Sequence, residues 1–173
     1  MCSELAALAE AAIVDDGSKQ GTQIGPIQNK AQFDKIKGFL DTARRDGKII
    51  AGGTVMDRGG YFVRPTIVRD VTDGDQQFGP ILPVIRFADV DEVVRRANAS
   101  EMGLGGSVWS KDVAKATAIA GRIESGQVWV NQHIAIGPHI PMAGFKTSGI
   151  GVEQSVEGFA EYTQVQVINV ARP

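Results

Sequence analysis

Cysteine is nearly absent, with Cys2 alone in 173 residues. A single thiol excludes an internal disulfide and fits a reducing compartment, so the cytoplasm is the expected location. There are two histidines, His133 and His139, and with no second cysteine a structural zinc site is not expected. Strong charge is also missing. The formal net charge is −2 at pH 7, which gives no reason to expect a nucleic acid or an anionic membrane as partner. No apolar run approaches the length of a membrane span. The N-terminus, Met1-Cys2-Ser3-Glu4, is polar and acidic and lacks the basic region of a signal peptide.

What remains is ordinary globular material. Hydrophobic content is 43% and charged content 22%, the proportions of a soluble domain, and the length suits one domain. Leu5–Val14 reads as an Ala-rich helix with Leu5, Leu8, Ala9 and Ala12 on one side. It opens almost at residue 1 without a capping approach, which suggests a fragment. A second helix starts near Asn29 and runs to about Asp46, with Phe33, Ile36, Leu40 and Ala43 as its buried stripe. Gly47 is expected to end it as a C′ glycine.

Short strands are expected at Lys48–Ala51, at Tyr61–Val68 (an edge or irregular strand, because of Pro65) and at Pro83–Phe87. Helix Val90–Ala99, strand Gly105–Trp109, helix Val113–Ile123 and strand Gln127–Asn131 then alternate. Such alternation predicts an α/β fold built on a parallel-type βαβ sheet with flanking helices. A short helix is expected at Glu153–Ala160, then a terminal strand at Thr163–Val170. The last reads either as a strand pairing across a subunit interface or as a simple edge.

The chemistry concentrates in Gln127–Gly151. A strand ending in Asn131 delivers the chain into a long Gly- and Pro-rich loop that closes on Lys146-Thr147-Ser148-Gly149. Structureless loops of that length are usually functional, and α/β proteins place ligands at the carboxyl ends of strands. Ile134, Ile136, Ile140 and Met142 would be exposed there unless they line a pocket or an interface. Glu153 follows Ser148-Gly149-Ile150-Gly151. It reads as a dipole-compensating acid in a first helical turn, or as a proton acceptor beside a glycine-rich loop. Gly103-Leu104-Gly105-Gly106 precedes a strand, so it is a turn and not a phosphate loop. His133 and His139 are i,i+6 in a loop and form no helical metal pair. Cys2, beside Glu4 at a terminus, lacks the partners that activate a nucleophile.

Several short stretches resemble the aldehyde dehydrogenase superfamily in order and spacing. They are Gln23-Ile24-Gly25-Pro26, Gly60-Tyr61-Phe62-Val63-Arg64-Pro65-Thr66, Phe78-Gly79-Pro80, Ala97-Asn98 with Gly103-Leu104, Val128-Trp129-Val130-Asn131, and Lys146 with Ser148-Gly149. The resemblance implies residues 1–162 as part of a catalytic domain and residues 163–173 as a C-terminal oligomerisation strand, with Gln164 near the subunit contact. It implies NAD- or NADP-dependent oxidation of an aldehyde to an acid, and a homo-oligomer formed through Thr163–Val170. The family's nucleophilic cysteine, general-base glutamate, oxyanion-hole asparagine and cofactor domain are expected upstream of the matched stretch. Cys2 does not align with the nucleophile.

By the same resemblance Phe78 packs near the nicotinamide. Gln76 replaces the glutamate that holds the nicotinamide ribose, in a run Asp73-Gly74-Asp75-Gln76 that is shorter than the family's usual loop. Glu153 matches a carboxylate that relays protons from the general base. Ile134, Ala135, Ile136 and Met142 match the loop that shapes the aldehyde tunnel, so this wall is expected to be aliphatic. The reading is the C-terminal portion of an aldehyde dehydrogenase, inactive as an isolated chain. The alternatives are a non-catalytic binding or oligomerisation module and a truncated remnant.

Overall fold

The computed structural model describes residues 1–71 and 79–172. The chain divides into two units, Met1–Arg86 and Phe87–Pro173.

The first unit holds helices α1 (Cys2–Ala11) and α2 (Lys30–Asp46) and strands β1 (Lys48–Ala51), β2 (Thr66–Arg69) and β3 (Ile81–Val84). The strands lie in the order β1-β2-β3, with β1 antiparallel and β3 parallel to β2. Asn29 starts α2 by accepting the Gln32 N–H at 2.8 Å, a side-chain cap for one of the four free donors of a first turn. The stripe read at helical spacing is buried: Ile36, Leu40 and Ala43 pack with Val63, Val68 and Ile81. A second cluster joins Ala9 to Ala51 and Ile67.

Three expectations change here. The strand expected from Tyr61 begins only at Thr66, after Pro65, which has no N–H to give a ladder. Residues before it pair locally instead, with a bridge between Val55 and Val63. The strand expected at Pro83–Phe87 lies earlier, at Ile81–Val84. Gly47 ends α2 at φ −132°, not in the left-handed region. Its glycine is required by crowding, since a Cβ would stand 2.5 Å from Val71 Cγ1 and 2.9 Å from Val68 Cγ1.

Asp15 ties the loop after α1 to the turn at Arg58. It accepts from the Asp16 N–H at 2.8 Å, Arg58 Nη2 at 2.8 Å and Lys19 Nζ at 3.1 Å. Those partners, the backbone N–H first, hold its carboxyl well below the usual carboxylate range. A pKa lowered by folding contributes stability that is complete above the unfolded value of about 4 and is lost as pH falls toward the folded value. Asp15→Asn is therefore expected to lower stability at pH 7 and to flatten the acid limb below about pH 4, as read by thermal unfolding across pH.

The second unit begins with α3 (Val90–Asn98), β4 (Met102–Gly103), β5 (Gly105–Val108), α4 (Val113–Ala120) and β6 (Gln127–Val130). Asp89 and Asp112 cap the two helices, accepting from the N–H groups of Glu92 at 2.7 Å and Lys115 at 3.0 Å. β5 and β6 pair in parallel, Gly105 opposite Gln127 and Val108 opposite Val130, with α4 between them in the chain. Taken over both units the sheets are mixed, not parallel throughout.

α4 stops at Ala120, short of the expected Ile123. The chain tightens into i→i+3 bonds, Arg122 N–H to Ile119 O and Ile123 N–H to Ala120 O. The Asn98 amide holds that turn, donating to Arg122 O at 2.8 Å and accepting from the Glu124 N–H at 2.9 Å. The remaining elements are β7 (Met142–Ala143), β8 (Phe145–Lys146), β9 (Val152–Glu153) and α5 (Ser155–Ala160).

Glu153 thus stands in a strand, not in the first turn of a helix. Gln154 and Ser155 adopt φ of 62° and 57°, which delays the helix. Residues 163–172 form no strand and are exposed. None of the bridges among the described residues involves them.

Candidate functional site

The loop after β6 is built on side chains that replace missing ladder bonds. Asn131 continues the β5–β6 pairing by itself: Oδ1 accepts the Ser110 N–H at 2.8 Å and Nδ2 donates to Ser110 O at 2.8 Å. Its backbone turns at φ 54°, a region that asparagine tolerates better than most residues. Asn131→Gly keeps that turn and loses both side-chain bonds. The expected cost is about 1 kcal/mol in urea unfolding.

Trp129, 9% exposed, donates from Nε1 to Ala135 O at 2.9 Å. His133 meets the indole edge-on, with ring centroids 5.4 Å apart. Further along, Gln127 Nε2 donates to Pro141 O. Gly126 lets β7 approach, for a Cβ there would lie 1.7 Å from Ala143 O.

The loop closes on Lys146, whose ammonium takes Asn98 O at 2.6 Å, Ser100 O at 3.1 Å and Glu124 Oε2 at 2.8 Å. Ser148 Oγ accepts the Gly103 N–H at 2.8 Å. Both motif residues therefore have structural jobs, anchoring the loop to the end of α3 and to β4.

Between these anchors lies an open cleft of about 500 Å³, lined by Leu104, Met142, Ser148, Glu153, Glu161 and Tyr162 among others. Met142 and Glu153 face each other across the β7–β9 ladder. No hydrogen bond or ion pair among the described residues engages the Glu153 carboxylate. It is exposed on the cleft lining. Glu161 is held instead, accepting the Val152 N–H at 3.1 Å.

Ile134, Ala135 and Ile136 do not line this cleft. They stand on the loop after β6, with Ile134 62% and Ile136 50% exposed. Ile134 has φ 53°, a strained setting for a β-branched side chain. Gln76 and Phe78 lie outside the described residues. Glu161 and Tyr162 were not singled out by sequence, since nothing in their spacing marks a residue that folds back across a turn. Cys2 sits in α1 and is not part of the cleft lining.

The fold is α/β, and among the described residues the Glu153 carboxylate on the cleft lining has no partner. A sequence model of the Aldehyde dehydrogenase family matches residues 1–168, and the chain belongs to that family. Betaine aldehyde dehydrogenase of Brucella anthropi is 36% identical over 167 residues, covering 91% of this chain and 34% of that protein. The mitochondrial aldehyde dehydrogenase of Homo sapiens is 36% identical over 173 residues, covering 96% and 34%. The crystal structure of PnpE from Pseudomonas sp. WBC-3 superposes with a TM-score of 0.88 at 30% identity, over 99% of this chain and 38% of that one. An NAD+ complex of aldehyde dehydrogenase from Bacillus cereus gives 0.86 at 31% identity, over 95% and 35%. The chain thus spans about a third of the length of the curated relatives it matches.

Proposed function

We propose that this chain acts as the C-terminal portion of an NAD- or NADP-dependent aldehyde dehydrogenase, oxidising an aldehyde to a carboxylic acid only when completed by a thiol-bearing, cofactor-binding segment. The observation that carries this reading is the family match over residues 1–168 combined with an open cleft whose lining includes the exposed Glu153. In this reading Glu153 receives a proton on its way out from the general base. Met142 gives the cleft an apolar wall, and Ile134, Ala135 and Ile136 add an aliphatic surface for the aldehyde's tail.

The nicotinamide cofactor, when bound, accepts the aldehyde's hydride. Gln76 and Phe78 are the residues of this chain assigned to it. Both lie outside the described residues.

The test is a fusion of this chain to the N-terminal two thirds of the Bacillus cereus aldehyde dehydrogenase. NADH formation with an aliphatic aldehyde supports the reading. A folded, NAD-binding fusion with no turnover contradicts it.

A second reading, assembly through residues 163–170, is favoured by the exposure of Val165 (92%), Val167 (73%), Ile168 (78%) and Val170 (84%). Solvent-facing apolar runs of this kind mark contact surfaces. Light scattering that detects a homo-oligomer, lost when residues 163–173 are removed, supports it, and a strict monomer opposes it.

A further inference from the structure

Ile134 presents a physical puzzle. It is β-branched, left-handed at φ 53° and 62% exposed, so its own burial does little to offset the strain. Such a residue persists only where its surroundings over-determine the backbone. Two anchors do so. On one side Asn131 is clamped to Ser110 through both amide atoms, and its N–H reaches Val108 O at 2.9 Å. On the other side the buried Trp129 indole holds Ala135 O at 2.9 Å, while His133 packs edge-on against the same ring. The strained residue lies between the two contacts that Trp129 makes.

We propose that Trp129 is a positioning residue: its indole N–H, by holding Ala135 O, imposes the left-handed turn at Ile134 and so presents Ile134 and Ile136 to the aliphatic tail of the substrate. The use of these side chains rests on the function proposed above; the brace itself does not. A rigid presentation of this kind selects for tail length and shape, because the loop cannot retreat from a bulky group without breaking the part-buried bond from Trp129 to Ala135 O.

The experiment is a double-mutant cycle in urea on this chain, crossing Trp129→Phe with Ile134→Asn. Asparagine occupies the left-handed region at lower cost than isoleucine. In the parent chain, Ile134→Asn is expected to raise the folding equilibrium constant about fivefold. With Trp129→Phe the loop relaxes, and the same change is expected to alter the constant less than about twofold. Equal effects in both backgrounds overturn the brace, whatever the enzyme does. Trp129→Met replaces the phenylalanine variant if that one fails to fold.

The same Trp129→Phe change in the fusion enzyme is then expected to lower kcat/KM for hexanal about tenfold relative to acetaldehyde. An unchanged ratio overturns the positioning role even where the cycle shows coupling. A fusion inert toward every aldehyde overturns the functional reading and the substrate role with it, while the cycle still decides the brace.

Discussion

Gly126→Ala is expected to destabilise the second unit severely. The glycine N–H donates to Gly103 O at 3.0 Å, which fixes its backbone beside β4. An added methyl would stand 1.7 Å from Ala143 O and 2.6 Å from Ala143 C. Those are main-chain atoms of β7, so no rotamer change clears the space. Relief requires β7 to move away, which breaks the β7–β9 ladder and the bond from Gln127 to Pro141 O. Overpacking against side chains costs about 1–3 kcal/mol. A clash with fixed backbone belongs at or above the upper end, about 3 kcal/mol or more. Urea unfolding measures it, and a variant as stable as the parent would refute the packing described for this loop.

Lys146→Met is the second large effect, with an expected loss of about 2 kcal/mol. The Glu124 partner is 56% exposed, and an ion pair of that kind contributes little. Most of the loss comes from Asn98 O and Ser100 O, which lose a cation at the C-terminal end of α3. Lys146→Arg is expected to recover little of it. The three contacts converge on a compact ammonium, and a planar guanidinium cannot reproduce that geometry. Full rescue by arginine in thermal unfolding would mean that charge alone matters at this position.

Elements specified locally were legible in the sequence. α2 could be placed from Asn29 to Gly47 because cap, stripe and terminator lie within one window. α3 and the β5–α4–β6 run were legible because the apolar period of the helices and the alternation with short apolar strands agree. What failed depends on partners distant in sequence. The start of β2 is set by Pro65 and by a bridge from Val55. The two-residue strands β7 to β9 carry too few residues to show a period. The reason for glycine at 126 is likewise a carbonyl, Ala143 O, that only folding brings against it.

Glu153 was read as a helical residue and stands in β9 instead. The entry to α5 is made by Gln154 and Ser155 at positive φ, and neither residue advertises that conformation. The resemblance to a family singled out Glu153, Ile134, Ala135, Ile136 and Met142. The geometry then divided the expected apolar wall, putting Met142 with Glu153 on the cleft and Ile134 to Ile136 on a separately braced loop.

The central claim is that this chain supplies the wall of an aldehyde-oxidising site whose reactive thiol comes from another segment. The most direct measurement is aldehyde-dependent NADH formation by the purified 173-residue chain beside its Cys2→Ser variant. The expected result is no turnover from either. Turnover by the parent chain that Cys2→Ser abolishes would contradict the account, because it would make Cys2 the nucleophile.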